Sequence, residues 1–162
     1  MNWKTTESWS RGQMIEELFG ELLAHRDPDY RRSTRKEQFA HIDYHSSLGT
    51  FDVKSRKRMS RKSKKLQDEF TWLEFRNVRG NTGWLCSGAD TIAFERKHDF
   101  VLIDRHPLLQ FAEDRCDLTD FVEESSDAIY KAYTREGRQD LISIVSMDDM
   151  MTELPHTIWD KQ

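Results

Sequence analysis

One segment of this chain cannot enter a protein core, so the rest of the sequence must fold around it. Residues 54–65 read KSRKRMSRKSKK, with eight basic residues among twelve and Met59 as the one apolar side chain. Such a run stays in solvent, either as an exposed loop or as an arm that binds phosphates through counterion release. A nuclear-import signal would use the same residues. The residues predicted to contact a nucleic acid are Arg56, Lys57, Arg58, Arg61 and Lys62.

The remaining composition predicts a globular protein without a membrane segment. The chain has 162 residues, of which 36% are hydrophobic and 33% charged, enough for one domain with one core. The longest apolar runs, FVLI and LISIV, are too short to span a bilayer, and no signal-peptide pattern opens the sequence. We therefore expect a cytoplasmic protein. Cys86 and Cys116 lack zinc-ligand spacing and are predicted to be reduced thiols.

Charge is distributed unevenly along the chain. Residues 1–112 carry 20 basic and 16 acidic side chains, whereas residues 113–162 carry 5 and 13. We predict one domain over residues 1–162. Its core would span about residues 10–112, and the acidic part 113–162 would pack on that core.

Hydrophobic periodicity predicts an α/β fold with a mixed sheet flanked by helices. SRGQMIEELFGELLAHRDP has helical spacing, with Ser10 as a cap and Asp27-Pro28 as the end. KEQFAHIDYHSS alternates as a strand, and Ser46 to Gly49 make a turn into the strand TFDVKS. Further strands are predicted in FTWLEFRNV, TIAFER, FVLID and LISIVSM. Helical segments are predicted in PLLQFAED, in part of LTDFVEESSDAIYKAY, and after a cap at Ser146.

The predicted hairpin brings acidic and basic side chains together. Asp43 and Asp52 lie at cross-strand distance, and Lys54 shares the strand face of Asp52 because side chains two residues apart point the same way. A second acidic-x-Lys triplet, Glu95-Arg96-Lys97, has Asp90 nearby, but positions 90 and 95 differ in parity along one strand. The first triplet is therefore the better candidate for a site.

The order of a helix, a strand with Asp43, a turn, and a strand ending in Asp52-Val53-Lys54 resembles the PD-(D/E)XK nuclease superfamily. The resemblance covers about residues 10–105, and it is to small phage or bacterial members of the restriction-endonuclease or Holliday-junction-resolvase type. Ile42 stands where most members have proline, and a basic loop follows Lys54 where many have an amphipathic helix. The resemblance implies a restriction-endonuclease-like core, with Mg²⁺ (or Mn²⁺) on Asp43 and Asp52 and an attacking water oriented or activated by Lys54.

Chemistry favours the same assignment, because phosphodiester hydrolysis requires neutralised phosphate charge and a hydroxide, both supplied by a carboxylate-bound divalent cation. By resemblance a third metal-binding carboxylate would come from the first helix. Glu16, Glu17 and Glu21 are the candidates there. Glu16 and Glu21 border the apolar face whereas Glu17 lies nearly opposite it, and Glu16 is preferred. Glu74 and His41 are secondary candidates, the first for the metal shell and the second for a phosphate contact.

Three functions follow from these features. The first is an Mg²⁺-dependent deoxyribonuclease, favoured by the acidic pair, Lys54 and the basic run together. The second is a nuclease fold that binds nucleic acid without catalysis. The third is a protein-interaction module of a phage or bacterial defence system, with the acidic C-terminal part as its docking surface. DNA is the expected partner, and the sequence leaves a homodimer open.

Overall fold

The computed structural model describes residues 3–59 and 62–162. Two short 3-10 turns, Trp84–Cys86 and Ser125–Asp127, accompany the regular elements. The helices are α1 (Trp3–Arg26), α2 (Arg35–Phe39), α3 (Arg105–Arg115) and α4 (Met147–Glu153). The strands are β1 (Arg31–Arg32), β2 (Tyr44–Ser46), β3 (Gly49–Lys54), β4 (Phe70–Arg76), β5 (Thr91–Glu95), β6 (Asp99–Asp104), β7 (Asp117–Phe121), β8 (Lys131–Ala132), β9 (Leu141–Ser146) and β10 (Thr157–Asp160).

The main sheet has six strands in the order β1-β2-β3-β5-β6-β10. Strands β3 and β5 run parallel, and the other neighbours are antiparallel. Strands β4 and β9 form a separate antiparallel pair, and β7 with β8 a short parallel one. The predicted mixed sheet with flanking helices is thus confirmed.

Helix α1 covers one face of the main sheet. Phe19 on this helix is fully buried, and its ring lies 5.3 Å from both Phe51 of β3 and Trp159 of β10. Ile15 and Leu23 bury the neighbouring turns of the same helix face. The i, i+4 spacing of these apolar residues explains why this segment is helical and which side faces the sheet.

The opposite face is covered by α3, α4 and the β4–β9 pair. Ile92 and Phe94 of β5 point to this side, where they pack with Leu73 of β4, Leu108 of α3 and Met150 of α4. Alternation along β3 therefore sends Phe51 and Val53 toward α1, and sends Asp52 and Lys54 toward the other layer. The site described below lies at the C-terminal end of β3, an inner strand of the main sheet.

The region before β2 differs from the prediction. Residues 35–39 form a helix, because Thr34 and Glu37 make a reciprocal capping box, so the strand begins only at Tyr44. His41 adopts a positive φ of 58° in the turn between helix and strand. The alternation of KEQFAHID resembled a strand, but the capping signal was also present in the sequence and takes precedence.

Other boundaries also shift. Helix α1 begins at Trp3, so Ser10 lies inside it and is not its cap. Residues 117–121, predicted to be partly helical, form the exposed strand β7. Ser146 does cap α4 by accepting a hydrogen bond from the backbone of Asp149. Strand β10 was not predicted.

Residues 113–162 supply strands to the fold as well as packing on it. Strand β9 pairs along the length of β4, and β10 extends the main sheet beside β6. Among the residues described, no helix has the length and apolar character needed to cross a membrane.

Candidate active site

The Asp43 side chain takes the place of a backbone bond in the main sheet. Its own backbone N–H donates to Phe51 O at 2.8 Å, as the β2–β3 ladder requires. The next ladder position is then filled by the Asp43 carboxylate, whose Oδ2 accepts the Val53 N–H at 2.7 Å. Backbone pairing between β2 and β3 thus stops at Asp43.

Asp52 and Lys54 project together from β3 into the layer opposite α1. The Lys54 Nζ lies 3.0 Å from Asp52 Oδ1 and 4.8 Å from the centre of the Trp84 ring. Trp84 is buried, so its ring is held in place and restricts the positions that the Lys54 ammonium can adopt. The expected convergence of Asp52 with Lys54 on one face is present.

Asp52 is a buried carboxyl group that faces another carboxyl group. It is 3% exposed, and among the described residues no donor group reaches its Oδ2. Burial raises the pKa of Asp52 to about 8; Lys54 opposes the rise, and the neighbouring Asp43 carboxyl adds to it by charge and by a side-chain hydrogen bond. Two carboxyl groups therefore face each other, and the Lys54 ammonium pairs with one of them.

Glu16 reaches the same region from α1. Burial and then the charge of Asp43 raise the pKa of Glu16 to about 7, against the lowering effects of Arg32 and Lys54. The Arg32 guanidinium lies 3.2 Å from Glu16 Oε2. Glu17, by contrast, is largely exposed and pairs with Arg32 at 3.9 Å. Of the two helix carboxylates, Glu16 is the one beside Asp43.

A close helix–strand contact brings Glu16 there. The Tyr44 hydroxyl donates to the backbone oxygen of Glu16 at 2.8 Å. Gly20 lies one turn further along α1, and a Cβ on this glycine would collide with the Tyr44 hydroxyl. Asp27 fixes the end of α1 to the β2–β3 turn by accepting hydrogen bonds from the backbone and hydroxyl of Ser47.

The secondary candidates have separate positions. Burial, and then the charge of Lys54, lower the pKa of His41, while the charges of Glu74 and Asp43 oppose this change. Because Lys54 and Asp43 both act on it, the imidazole lies beside the site. Glu74 belongs to the β4–β9 pair, so its strand does not neighbour β3 as a place in the metal shell would need. Its carboxylate instead accepts the Trp84 N–H at 3.4 Å.

The start of the basic segment is tied to the fold. The Arg56 guanidinium bonds Asp68 at 2.6 Å, and its backbone N–H bonds Glu95 at 2.8 Å, so this arginine is not a free cation. Lys57 is exposed as a residue, but desolvation of its ammonium and then the charge of Lys54 lower its pKa. Arg58 and Lys62 are exposed, as are Lys64 and Lys65, whereas Arg61 lies outside the described residues.

The second triplet has a structural role. Glu95 is buried and accepts hydrogen bonds from Arg11 at 2.9 Å and Lys161 at 2.7 Å. Burial alone would raise the pKa of Glu95, but these bonds and the bond from the Arg56 backbone outweigh it and lower the pKa. Lys97 points elsewhere and is exposed. The cluster connects α1, the basic segment and the chain after β10.

The donor chemistry of the first triplet fits a hard divalent cation. Mg²⁺ prefers oxygen ligands and needs only one or two carboxylates, with water and phosphate oxygens completing its shell. Asp52 Oδ2 and the face of Asp43 not bound to Val53 offer such oxygens. In the described part of the chain, no three acidic, histidine or cysteine side chains converge into a ready-made metal cage.

Two residues bordering the site were not among the predicted ones. Arg32 was not considered because charge patterning alone does not indicate that it folds back on Glu16. Trp84 has no site role in the sequence-based prediction, because its cation–π contact with Lys54 depends on a turn after β4. In comparisons with known proteins, no family model, curated protein or solved structure matches this chain.

Proposed function

We propose that this protein is a divalent-metal-dependent nuclease that hydrolyses DNA phosphodiester bonds, with a PD-(D/E)XK site and a restriction-endonuclease-like core. The observation that carries the proposal is the buried Asp52 carboxyl group, whose Oδ2 receives no donor from the described residues and faces the Asp43 carboxyl group, with the Lys54 ammonium 3.0 Å from the other oxygen. A purely structural ion pair would not need a second carboxyl group there, since buried like charges are costly.

The residues divide the chemistry among them. Asp43 and Asp52 would hold Mg²⁺ or Mn²⁺, with Glu16 as a further acidic group reached through water. The metal, when bound, would neutralise phosphate charge and acidify a water molecule. Lys54, held by Asp52 and by the Trp84 ring, would orient the attacking water toward phosphorus. The oxygen of that water bonds to phosphorus, one ester P–O bond breaks, and a proton passes to the departing alkoxide.

The exposed cations after β3 provide the approach path for the nucleic acid. Arg58, Lys62, Lys64 and Lys65 are exposed, next to the strand that carries Asp52 and Lys54. Their contacts to phosphates would be independent of base sequence and sensitive to salt, each contributing about 0.9 to the slope of log K against log salt on duplex DNA. Replacing Arg58 and Lys62 with glutamine should lower that slope, and an unchanged slope would exclude the segment from binding.

A cleavage assay tests the proposal. Wild-type protein is incubated with duplex, single-stranded and branched DNA in Mg²⁺, Mn²⁺ or EDTA. Asp52→Asn and Lys54→Ala should each abolish metal-dependent cleavage while binding measured in EDTA persists. Lys97→Ala is the matched control, because it removes the lysine of the other acidic-x-Lys triplet and should cut normally. Loss of a metal ligand removes several kcal/mol of transition-state stabilisation, and each 1.36 kcal/mol is tenfold in rate.

Metal binding has a second readout that does not depend on activity. Because burial keeps a proton on Asp52 at neutral pH, a cation that ligates this carboxylate should displace it. Calorimetric titration with Mn²⁺ at pH 7, in two buffers of different ionisation enthalpy, should give release of about one proton per bound ion. Binding without proton release would remove Asp52 from the ligand set. DNA binding with no cleavage in either metal would favour the inactive-nuclease alternative.

A further inference from the structure

Helix α2 stands out from the protein surface and presents an aromatic ring to solvent. None of its residues is buried, and Phe39, its last residue, is 77% exposed. An aromatic side chain this exposed gains little from packing on its own fold, and its ring face is open to a ligand. Single exposed apolar residues are common on protein surfaces, so the inference depends on what surrounds this ring. Phe39 lies four residues before Asp43, which places their Cα atoms no more than about 14 Å apart.

A polar network holds this helix in place without burying it. Glu37 is its centre: the carboxylate accepts two hydrogen bonds from Arg31, at 2.9 and 2.8 Å, and one from the Thr34 N–H at 3.0 Å. His45 of β2 lies 2.6 Å from the same carboxylate. After the helix, Ala40 O accepts from the Ser87 hydroxyl at 2.9 Å. The ring of Phe39 is therefore carried on a fixed support beside the site.

Two cations lie on the same short helix. Arg35 and Lys36 are exposed, and neither forms an ion pair with a carboxylate within residues 3–59 and 62–162. Arg31 and Arg32, in contrast, are already paired with Glu37 and Glu16. A protruding ring with two free cations matches the chemistry of single-stranded nucleic acid binding, where bases stack on aromatic faces and cations follow the phosphates.

We propose that α2 is a binding platform for unpaired nucleotides, with Phe39 stacking on a base and with Arg35 and Lys36 contacting the adjacent phosphates. The inference rests on the proposed nuclease function and specifies its substrate: DNA that has unpaired bases beside the cleaved bond, such as a single strand, flap or junction. Fully paired DNA offers no free base face to Phe39 and would rely on the cations after β3.

Binding in EDTA tests this separately from catalysis. Fluorescence anisotropy would compare a single-stranded 12-mer, a duplex, and a duplex with a single-stranded flap. Phe39→Ala should weaken binding of the single strand and the flap about tenfold and change duplex binding less than twofold. Phe39→Leu, which keeps the apolar surface but not the aromatic face, should behave like the alanine variant. Phe121→Ala is the matched control, since this ring is 57% exposed on β7 in the acidic part of the chain.

Two further measurements locate the base and the phosphates. A 2-aminopurine placed in the flap should lose fluorescence on binding wild-type protein and keep it on binding Phe39→Ala. Replacing Arg35 and Lys36 with glutamine should lower the salt slope for single strands by about 1.4.

Equal loss of duplex and flap binding in Phe39→Ala would overturn the proposal. So would unchanged DNA binding together with loss of a dimer, which would make Phe39 a contact between copies of this chain. Absence of cleavage alone would overturn the nuclease function and leave this result standing.

Discussion

The sharpest prediction concerns Asp52→Asn in the absence of metal. The asparagine keeps the oxygen that contacts Lys54 and places an NH₂ group where Oδ2 faces Asp43, so it resembles the protonated acid. The folded wild-type protein retains a proton on Asp52 up to about pH 8, whereas the unfolded chain releases it near the ordinary aspartate pKa of 3.8. Between these two values the native state binds the extra proton, so wild-type stability must fall as pH rises.

The size of the effect follows from proton linkage. One extra proton on the native state changes the free energy of unfolding by about 1.36 kcal/mol per pH unit. The variant carries no such proton, so its advantage over wild type should grow with pH. Between pH 5 and pH 8 we expect the difference in unfolding free energy to increase by about 2–4 kcal/mol and then to level off.

Urea unfolding in EDTA, followed by tryptophan fluorescence at pH 5, 6, 7 and 8, measures this difference directly. Asp114→Asn, at an exposed position on α3, serves as the control and should track wild type at every pH. If Asp52 were simply one half of a stabilising ion pair with Lys54, its native pKa would lie below the unfolded value, so both states would be ionised from pH 5 to pH 8 and the variant would be less stable than wild type by a constant amount. A flat dependence would therefore refute the description of Asp52 as a buried carboxyl group that keeps its proton in the native state.

Three other variants test the surroundings of the site. Arg32→Gln removes the cation that pairs with Glu16. Calorimetry at pH 8.5 should then show several-fold tighter binding of Mn²⁺, and an unchanged affinity would mean that Glu16 does not act on the metal. Gly20→Ala forces the Tyr44 hydroxyl away from α1 and should lower the unfolding free energy by about 1–3 kcal/mol in urea titrations, whereas a gain would mean that the helix tolerates the shift. Glu95→Gln leaves Arg11 and Lys161 without a carboxylate and should cost about 3–5 kcal/mol by the same assay, a small effect meaning that water compensates them.

The hairpin at the site could be predicted because local rules determine it. Ser46 and Gly49 pair across a two-residue turn, and Gly49 supplies the positive φ of 113° that the turn needs. With that register, parity alone brings Asp43 beside Asp52 and points Lys54 the same way. The helix carrying Glu16 was predictable for the same reason, since its apolar residues recur every three or four positions.

Other features depend on contacts between distant segments. Strand β10 has four residues, of which Trp159 alone is buried, so it gives almost no periodic signal and forms because β6 offers an edge. The place of Glu74 could not be predicted, because its strand β4 pairs with β9, far along the chain, and not with β3. Helix α2 was predicted as a strand because its residues alternate in polarity. The Thr34–Glu37 capping box in the same segment indicates the helix that forms.

The contacts between the C-terminal segment and α1 affect the order in which parts of the molecule can fold during synthesis. Trp159 stacks on Phe19, and Lys161 joins Arg11 on Glu95, so the helix that carries Glu16 is held by residues that the ribosome adds about 140 positions later. During translation α1 can form early and meet β3, but its contacts with Trp159 and Lys161 cannot form until residues 157–161 leave the exit tunnel. Stalled nascent chains lacking that segment should be cut by protease within α1, and release of the segment should protect it. Completion of the acidic cluster only after this region has been synthesised would keep the proposed nuclease inert while it is still beside ribosomal RNA and messenger.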